Sequence, residues 1–367
     1  LARSAGGGRR SPAAATLALL TGALLLGVGI GVGLPHLARA GWTAVTVLGL
    51  VALVAGAALV AAGVVGLVRA TGRWWRLPVA VGAALGVLLV VYLVAIPVAA
   101  TVVPPTTGDG RTPASVGLTA REVRLPTTGG DTLAGWYVPS RNGAAVALLH
   151  GSGSTRSSTL DHAVVLARHG YGVLLLDARG HGDSTGRAMD FGWHGDSDVR
   201  AATAYLSSPE VGVEPGRVGA VGLSMGGEEA LGALAADPRL AVVVAEGATG
   251  RVAADLTWLS DRHGWRGQVQ EWLEVVHTGL AAALSGLEPP RTLRQGVSGS
   301  AAPALLVTAG ERPDEGYAAA SLRGAAPDRV EVWKVPGSGH TGGLSTDPAE
   351  WERRVVGFLD RALQPVE

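Results

Sequence analysis

Three uncharged apolar stretches, residues 13–34, 42–68 and 77–103, dominate the first hundred residues of the 367-residue chain. They are 22, 27 and 27 residues long, and a helix needs roughly 20 to cross the hydrocarbon core of a bilayer. Helices of a water-soluble core seldom run so long without a polar face. Residues 1–103 therefore read as three membrane spans, and a lipid bilayer is the first expected partner.

The arginines orient these spans. Arg3, Arg9 and Arg10 precede the first, Arg69, Arg73 and Arg76 lie between the second and third, and only Arg39 falls in the first loop. Basic loops stay in the cytoplasm, which puts everything after Val103 outside a multi-pass protein of the cell membrane. Trp42, Trp74 and Trp75 stand at span ends, where amphipathic rings favour the headgroup zone. Ala38-Arg39-Ala40 has the small-residue pattern of a signal-peptide cleavage site, but the apolar run before it is longer than a signal core and reads as an uncleaved anchor. The spans carry no acid, Lys or His, so they offer no relay for ion transport.

Charge splits the chain in the same place. Lys+Arg and Asp+Glu are 30 each, yet residues 1–103 hold seven Arg and no acid. The remainder carries a net −7, which disfavours nucleic-acid binding. There is no cysteine, so disulfide scaffolds, Cys-ligated zinc and thiolate nucleophiles are excluded. No H-E-x-x-H, P-loop or dinucleotide fingerprint occurs, and no metal or cofactor is expected.

Residues 104–120, rich in Pro, Thr and Gly, read as an extended linker. From 121 to 367 short β-branched runs alternate with helical patterns, which predicts one α/β domain with a mostly parallel sheet. The expected strands are 121–125, 133–138, 145–149, 172–176, 218–223, 241–245, 304–307 and 330–333. Helices are expected at 159–169, 197–206, 228–236 and 350–363. Residues 248–300, with Trp258, Trp265 and Trp272 spaced by seven, interrupt the alternation as a helical cap that lines a substrate site or touches the bilayer.

Gly222-Leu223-Ser224-Met225-Gly226 sits where a buried strand meets a helix. A serine there must turn through a strained backbone, and the flanking glycines remove the side chains that would block it. Ser224 is the expected nucleophile. Its base is read as His340, on the loop after the last strand, where a parallel sheet gathers its site residues. The base needs an orienting carboxylate. Asp314 is the first candidate, Glu311 the second, and Glu246 at the end of the preceding strand a third.

The order Ser224, Asp314, His340, with His150-Gly151 after the third strand and Asp177-Ala178-Arg179-Gly180-His181-Gly182-Asp183-Ser184 after the fourth, resembles the alpha/beta-hydrolase superfamily over residues 121–363. The resemblance implies an eight-stranded, mostly parallel sheet with helices on both faces, and a Ser–His–acid mechanism. It also implies an oxyanion hole from the backbone N–H groups of Met225 and Ser152, consistent with fixed dipoles at a helix N-terminus stabilising an alkoxide. His150 and His181 are expected to hold loop geometry, Asp177 and Arg179 to form a structural pair, and His194 to lie near the pocket or on the surface. Many members carry Asp three residues after the loop glycine, where this chain has Pro313.

The expected activity is that of a membrane-anchored serine hydrolase, cleaving carboxylic esters of a small-molecule or lipid-like acyl substrate through an acyl-enzyme. Peptidase and envelope acyltransferase chemistry share the same elbow, base and oxyanion hole and are the alternatives. A reading from another class is a non-catalytic membrane interaction module on the same fold. Oligomeric state has no signature in the sequence.

Overall fold

A computed structural model of the chain describes residues 11–365; Arg3, Arg9 and Arg10 lie outside the described residues. The chain forms two compact units, one of the N-terminal helices up to Pro104 with Gly279–Leu284, and one sheet domain of Pro105–Thr278 with Ser285 onward.

In the first unit Pro12–Val28 continues through a π-helical turn, Gly29–Gly33, into Leu34–Ala40. Ala44–Ala70 and Arg76–Thr101 follow. Ser11 and Thr43 cap the first two helices by accepting the N–H groups of Ala14 and Thr46. All three helices are long and apolar enough to cross a membrane, with mean hydropathy 2.2, 2.6 and 2.8. Oily side chains gain little by meeting each other in lipid, so close backbone approach has to hold such helices together. Gly49, Gly56 and Gly63 supply it. A Cβ on them would lie 2.6–2.7 Å from the backbone of Gly33, Leu26 and Leu19 respectively. Their spacing of seven keeps them on one face of the helix.

The second unit is built on one eight-stranded sheet. Its strands are β1 (Arg121–Pro126), β2 (Thr132–Val138), β3 (Ala145–Leu149), β4 (Gly172–Leu176), β5 (Val218–Leu223), β6 (Leu240–Glu246), β7 (Ala304–Ala309) and β8 (Val330–Val335). The spatial order is β1-β2-β4-β3-β5-β6-β7-β8. Only β2 runs against its neighbours β1 and β4; the remaining pairs are parallel. Strands β3, β4 and β5 are buried at every residue, because helices cover both faces and leave two separate apolar layers. That double burial is why they read as unbroken apolar runs. This is an α/β-hydrolase fold.

Residues 105–120 are tied to the domain rather than extended away from it. Thr106 O accepts the Gly182 N–H at 3.0 Å, Arg111 bridges Asp161 at 2.6 Å, and Pro113–Val116 forms a 3-10 turn. The expected helix at 350–363 is present from Pro348 to Ala362 and runs through a π turn at Glu352–Val356. Between β6 and β7 the segment 248–300 is helical, with Trp258–His263, Trp265–Ser285 and Leu293–Ser298.

Candidate active site

Strand β5 delivers Ser224 directly onto the first turn of the helix Met225–Ala233. The turn is too sharp for ordinary backbone: Ser224 has φ 53° and ψ −118°. Two hydrogen bonds hold it there, from Ser224 N–H to Glu246 O at 2.7 Å and from Glu228 N–H to Ser224 O at 3.1 Å. Among the described residues, Ser224 and Thr341 are the only non-glycine residues with positive φ. Such strain costs about 1–3 kcal/mol per residue and collects at functional sites.

The flanking glycines permit the turn. A Cβ on Gly222 would stand 2.2 Å from Gly226 O, and one on Gly226 would stand 2.5 Å from Leu149 O. Both obstacles are backbone and cannot rotate away. Gly226→Ala should therefore destabilise the domain by about 3 kcal/mol and lower its melting midpoint by roughly 10 °C. Gly324→Ala, on a helix with open space around the glycine, should leave the midpoint unchanged or raise it. Equal midpoints for the two variants, measured by calorimetry in detergent, would refute the steric argument.

His340 lies on the loop after β8, and the strained Thr341 follows it. Its Nε2 is 2.8 Å from Ser224 Oγ, so the hydroxyl donates to the ring. The other ring nitrogen, Nδ1, is 2.7 Å from Glu315 Oε1 and donates to it. Glu315 is buried, and its second oxygen accepts the Ala309 N–H at 2.7 Å. The hydrogen bond to Glu315, reinforced by its charge, raises the His340 pKa above the ordinary 6.5. Gly247 passes so close that a Cβ there would lie 2.9 Å from His340 Cε1.

The carboxylate facing His340 is thus Glu315, and the expectation of Asp314 is corrected. The chain does not loop from 311 to 315; it starts a helix, Pro313–Ala325. Successive helical residues point about 100° apart, so the first turn sends Asp314 to solvent and Glu315 inward. Glu311 is also exposed. Glu246 is buried and committed elsewhere: it accepts the Gly343 N–H at 2.7 Å and the Trp351 indole N–H at 3.1 Å. Burial raises its pKa. It fixes the segment just after His340.

Above the serine runs the loop after β3, where a Cβ on Gly151 would approach Ser224 Cβ to 3.4 Å. His150 organises this loop. Its Nε2 accepts the Ala178 N–H at 3.0 Å, which places the ring proton on Nδ1, 2.8 Å from Gly151 O. Burial, with His181 beside it, lowers its pKa to about 4, so the ring stays neutral. Met225 opens its helix, and a first-turn N–H has no acceptor within a helix. Ser152, the other expected donor, is exposed on the same loop as Gly151.

Asp177 and Arg179 do not pair with each other. Asp177 accepts the backbone N–H groups of Arg156 and Asp183 at 2.7 and 3.0 Å, while Arg179 bridges Asp198 at 2.7 Å and Asp131 at 3.1 Å. His194 lines a small separate cavity with Asp131, Arg179 and Arg187. Sequence reasoning also passed over Glu228, on the nucleophile helix. Its Oε1 accepts the N–H groups of Thr249 and Gly250 at 3.0 and 2.9 Å, anchoring the start of the cap, and burial pushes its pKa to about 7. Among the described residues no group of three His, Asp or Glu side chains is arranged to hold a metal ion.

Residues 98–330 match the family described as X-Pro dipeptidyl-peptidase (S15 family). An uncharacterized protein of Mycobacterium tuberculosis is 31% identical over 258 residues, covering 69% of this chain and 82% of that protein. The thiohydrolase aneE of Aspergillus aculeatus is 30% identical over 131 residues, 34% of this chain and 41% of that protein. Among solved structures, the Pyrococcus furiosus esterase Pf2001 superposes with a TM-score of 0.57 at 24% identity, covering 71% of this chain and 97% of its own. The α/β hydrolase GrgF from Penicillium sp. does so with a TM-score of 0.52 at 20% identity, over 67% and 99%. With that family matched over residues 98–330, the chain belongs to the X-Pro dipeptidyl-peptidase (S15) family of hydrolases.

Proposed function

We propose that the protein is a membrane-anchored serine hydrolase that cleaves carboxylic esters, with its catalytic domain outside the cytoplasmic membrane. The observation that carries this reading is the continuous hydrogen-bonded line from Ser224 Oγ through His340 to Glu315. Ser224 Oγ attacks the acyl carbonyl as its proton passes to His340 Nε2, and Glu315 stabilises the imidazolium. The N–H groups of Met225 and Ser152 receive the developing alkoxide. His340 then protonates the leaving alcohol, and water releases the acyl-enzyme by the same steps in reverse.

The family's description favours a second reading, cleavage of an amide after an X-Pro dipeptide. The same nucleophile serves both, and only the leaving group differs. The outward orientation rests on the arginine asymmetry of the three apolar helices.

The test is labelling of intact expressing cells with a membrane-impermeant fluorophosphonate. Wild type should label and Ser224→Ala should not. Labelling confined to detergent lysates would reverse the orientation, and no labelling in either would remove the serine-hydrolase reading. Turnover of p-nitrophenyl esters against Ala-Pro p-nitroanilide then separates esterase from dipeptidyl-peptidase.

A further inference from the structure

The cap helix Trp265–Ser285 carries an apolar stripe that the domain leaves uncovered. Trp265, Val269, Trp272 and Val275 are 70%, 50%, 59% and 60% exposed. Their spacing of four, three and three residues puts them on one side of the helix. The opposite side is closed: a Cβ on Gly267 would lie 2.0 Å from Leu259 O. The acids of the helix are turned off the stripe and engaged, Glu271 with the Ser260 N–H at 2.8 Å and Glu274 with His277 at 3.2 Å. Exposed cations stand at its N-terminal end. The Arg266 guanidinium is 5.6 Å from the Trp265 ring centre, and Arg262 stacks at 4.8 Å on Tyr317.

A contiguous patch with two exposed tryptophans marks a surface that meets something other than water. We propose that this face lies in the headgroup region of a lipid bilayer, with Arg262 and Arg266 meeting lipid phosphates. The inference rests on the membrane-anchored reading above. It commits to lipid for two reasons. The same chain carries three helices long and apolar enough to cross a membrane, which keeps a bilayer within reach. Tryptophan over an aliphatic stripe, flanked by arginine, is also the composition of a helix lying in a membrane interface. The consequence concerns substrate. Trp272 and Val275 also wall a cavity of about 620 Å³ with Val252, Pro289 and Pro290, so the docked cap would present an apolar groove at the lipid surface.

The chain has no cysteine, so a single introduced cysteine takes a spin label at one site. Three variants of the full chain in phosphatidylcholine–phosphatidylglycerol nanodiscs test the proposal: Val269→Cys, Leu48→Cys on the second apolar helix, and Glu331→Cys on β8. Collision with oxygen, which concentrates in lipid, is compared with collision with a water-soluble nickel chelate. The oxygen-to-nickel ratio at position 269 should exceed that at 331 by about fivefold and approach that at 48. A ratio at 269 equal to that at 331, with 48 still in lipid, overturns the docking alone. Shielding of 269 from both reagents overturns it in favour of a protein partner. A water-like ratio at 48 removes the membrane anchor itself and the docking with it. In a second measurement, Trp265→Ser with Val269→Ser should slow turnover of a bilayer-embedded ester about tenfold while leaving soluble p-nitrophenyl acetate within about twofold. Equal effects on both substrates would overturn the proposal.

Discussion

Ser224→Ala should lower kcat on p-nitrophenyl esters by about 10⁶ while KM changes little, because in the proposed mechanism the hydroxyl is the attacking atom rather than a binding contact. Turnover that remains should still exceed the uncatalysed rate by about 10³, since the oxyanion donors and the binding site survive the substitution. A loss of less than about tenfold would point to another nucleophile.

The same position makes a separable statement about stability. Alanine at 224 inherits the strained backbone, φ 53° and ψ −118°, so Ser224→Ala should melt close to wild type. Glycine tolerates that conformation, and Ser224→Gly should be inactive yet more stable by about 1 kcal/mol. If both variants melted alike, the elbow would not be under the strain its geometry implies. An enzyme that stores strain at its nucleophile holds the hydroxyl in attacking position before substrate arrives.

The two residues of the site that were legible in the sequence were legible for physical reasons. Ser224 announced itself because two glycines are needed where Gly226 O and Leu149 O crowd the turn. His340 did so because it follows a strand that ends at the sheet edge. The strands were readable because burial on both faces leaves only apolar residues in β3, β4 and β5. The carboxylate that faces His340 stands one position past the expected Asp314, because which residue turns inward depends on where a helix begins. Pro313 at the first helical position marks that start, and proline is favoured there because its missing N–H would have no acceptor anyway. Asp177 and Arg179 misled in another way. The resemblance implied a pair, but both residues lie past the end of β4, where no strand register orients them, and Asp177 meets Arg156 instead while Arg179 turns to Asp198. Residues 105–120 are tethered by a backbone contact, from Gly182 N–H to Thr106 O, and by the ion pair of Arg111 with Asp161 fifty residues away, neither of which leaves a periodicity to read.

Glu315→Gln should reduce kcat by about 10³–10⁴, the scale seen when the carboxylate of such a triad becomes an amide, whereas Asp314→Asn should stay within about twofold of wild type. The first change removes the charge that stabilises the imidazolium and presents an amide that can donate where Nδ1–H must donate. The second alters an exposed side chain at the helix N-terminus. The pH profile sharpens the comparison. In the proposed mechanism His340 acts as base only when neutral, so kcat/KM should fall on the acid side as the ring protonates. Glu315 raises the pKa of the ring above 6.5, so the acid limb of the wild type should lie above that value. Removing the carboxylate lowers the pKa, and the residual activity of Glu315→Gln should therefore persist to lower pH. Asp314→Asn should leave the limb in place. Two variants differing by one position along the chain thus separate in rate and in whether the acid limb moves. A loss at Asp314 with Glu315→Gln unaffected would return the acid to the residue that sequence order suggested and would mean that the helix Pro313–Ala325 begins in a different register.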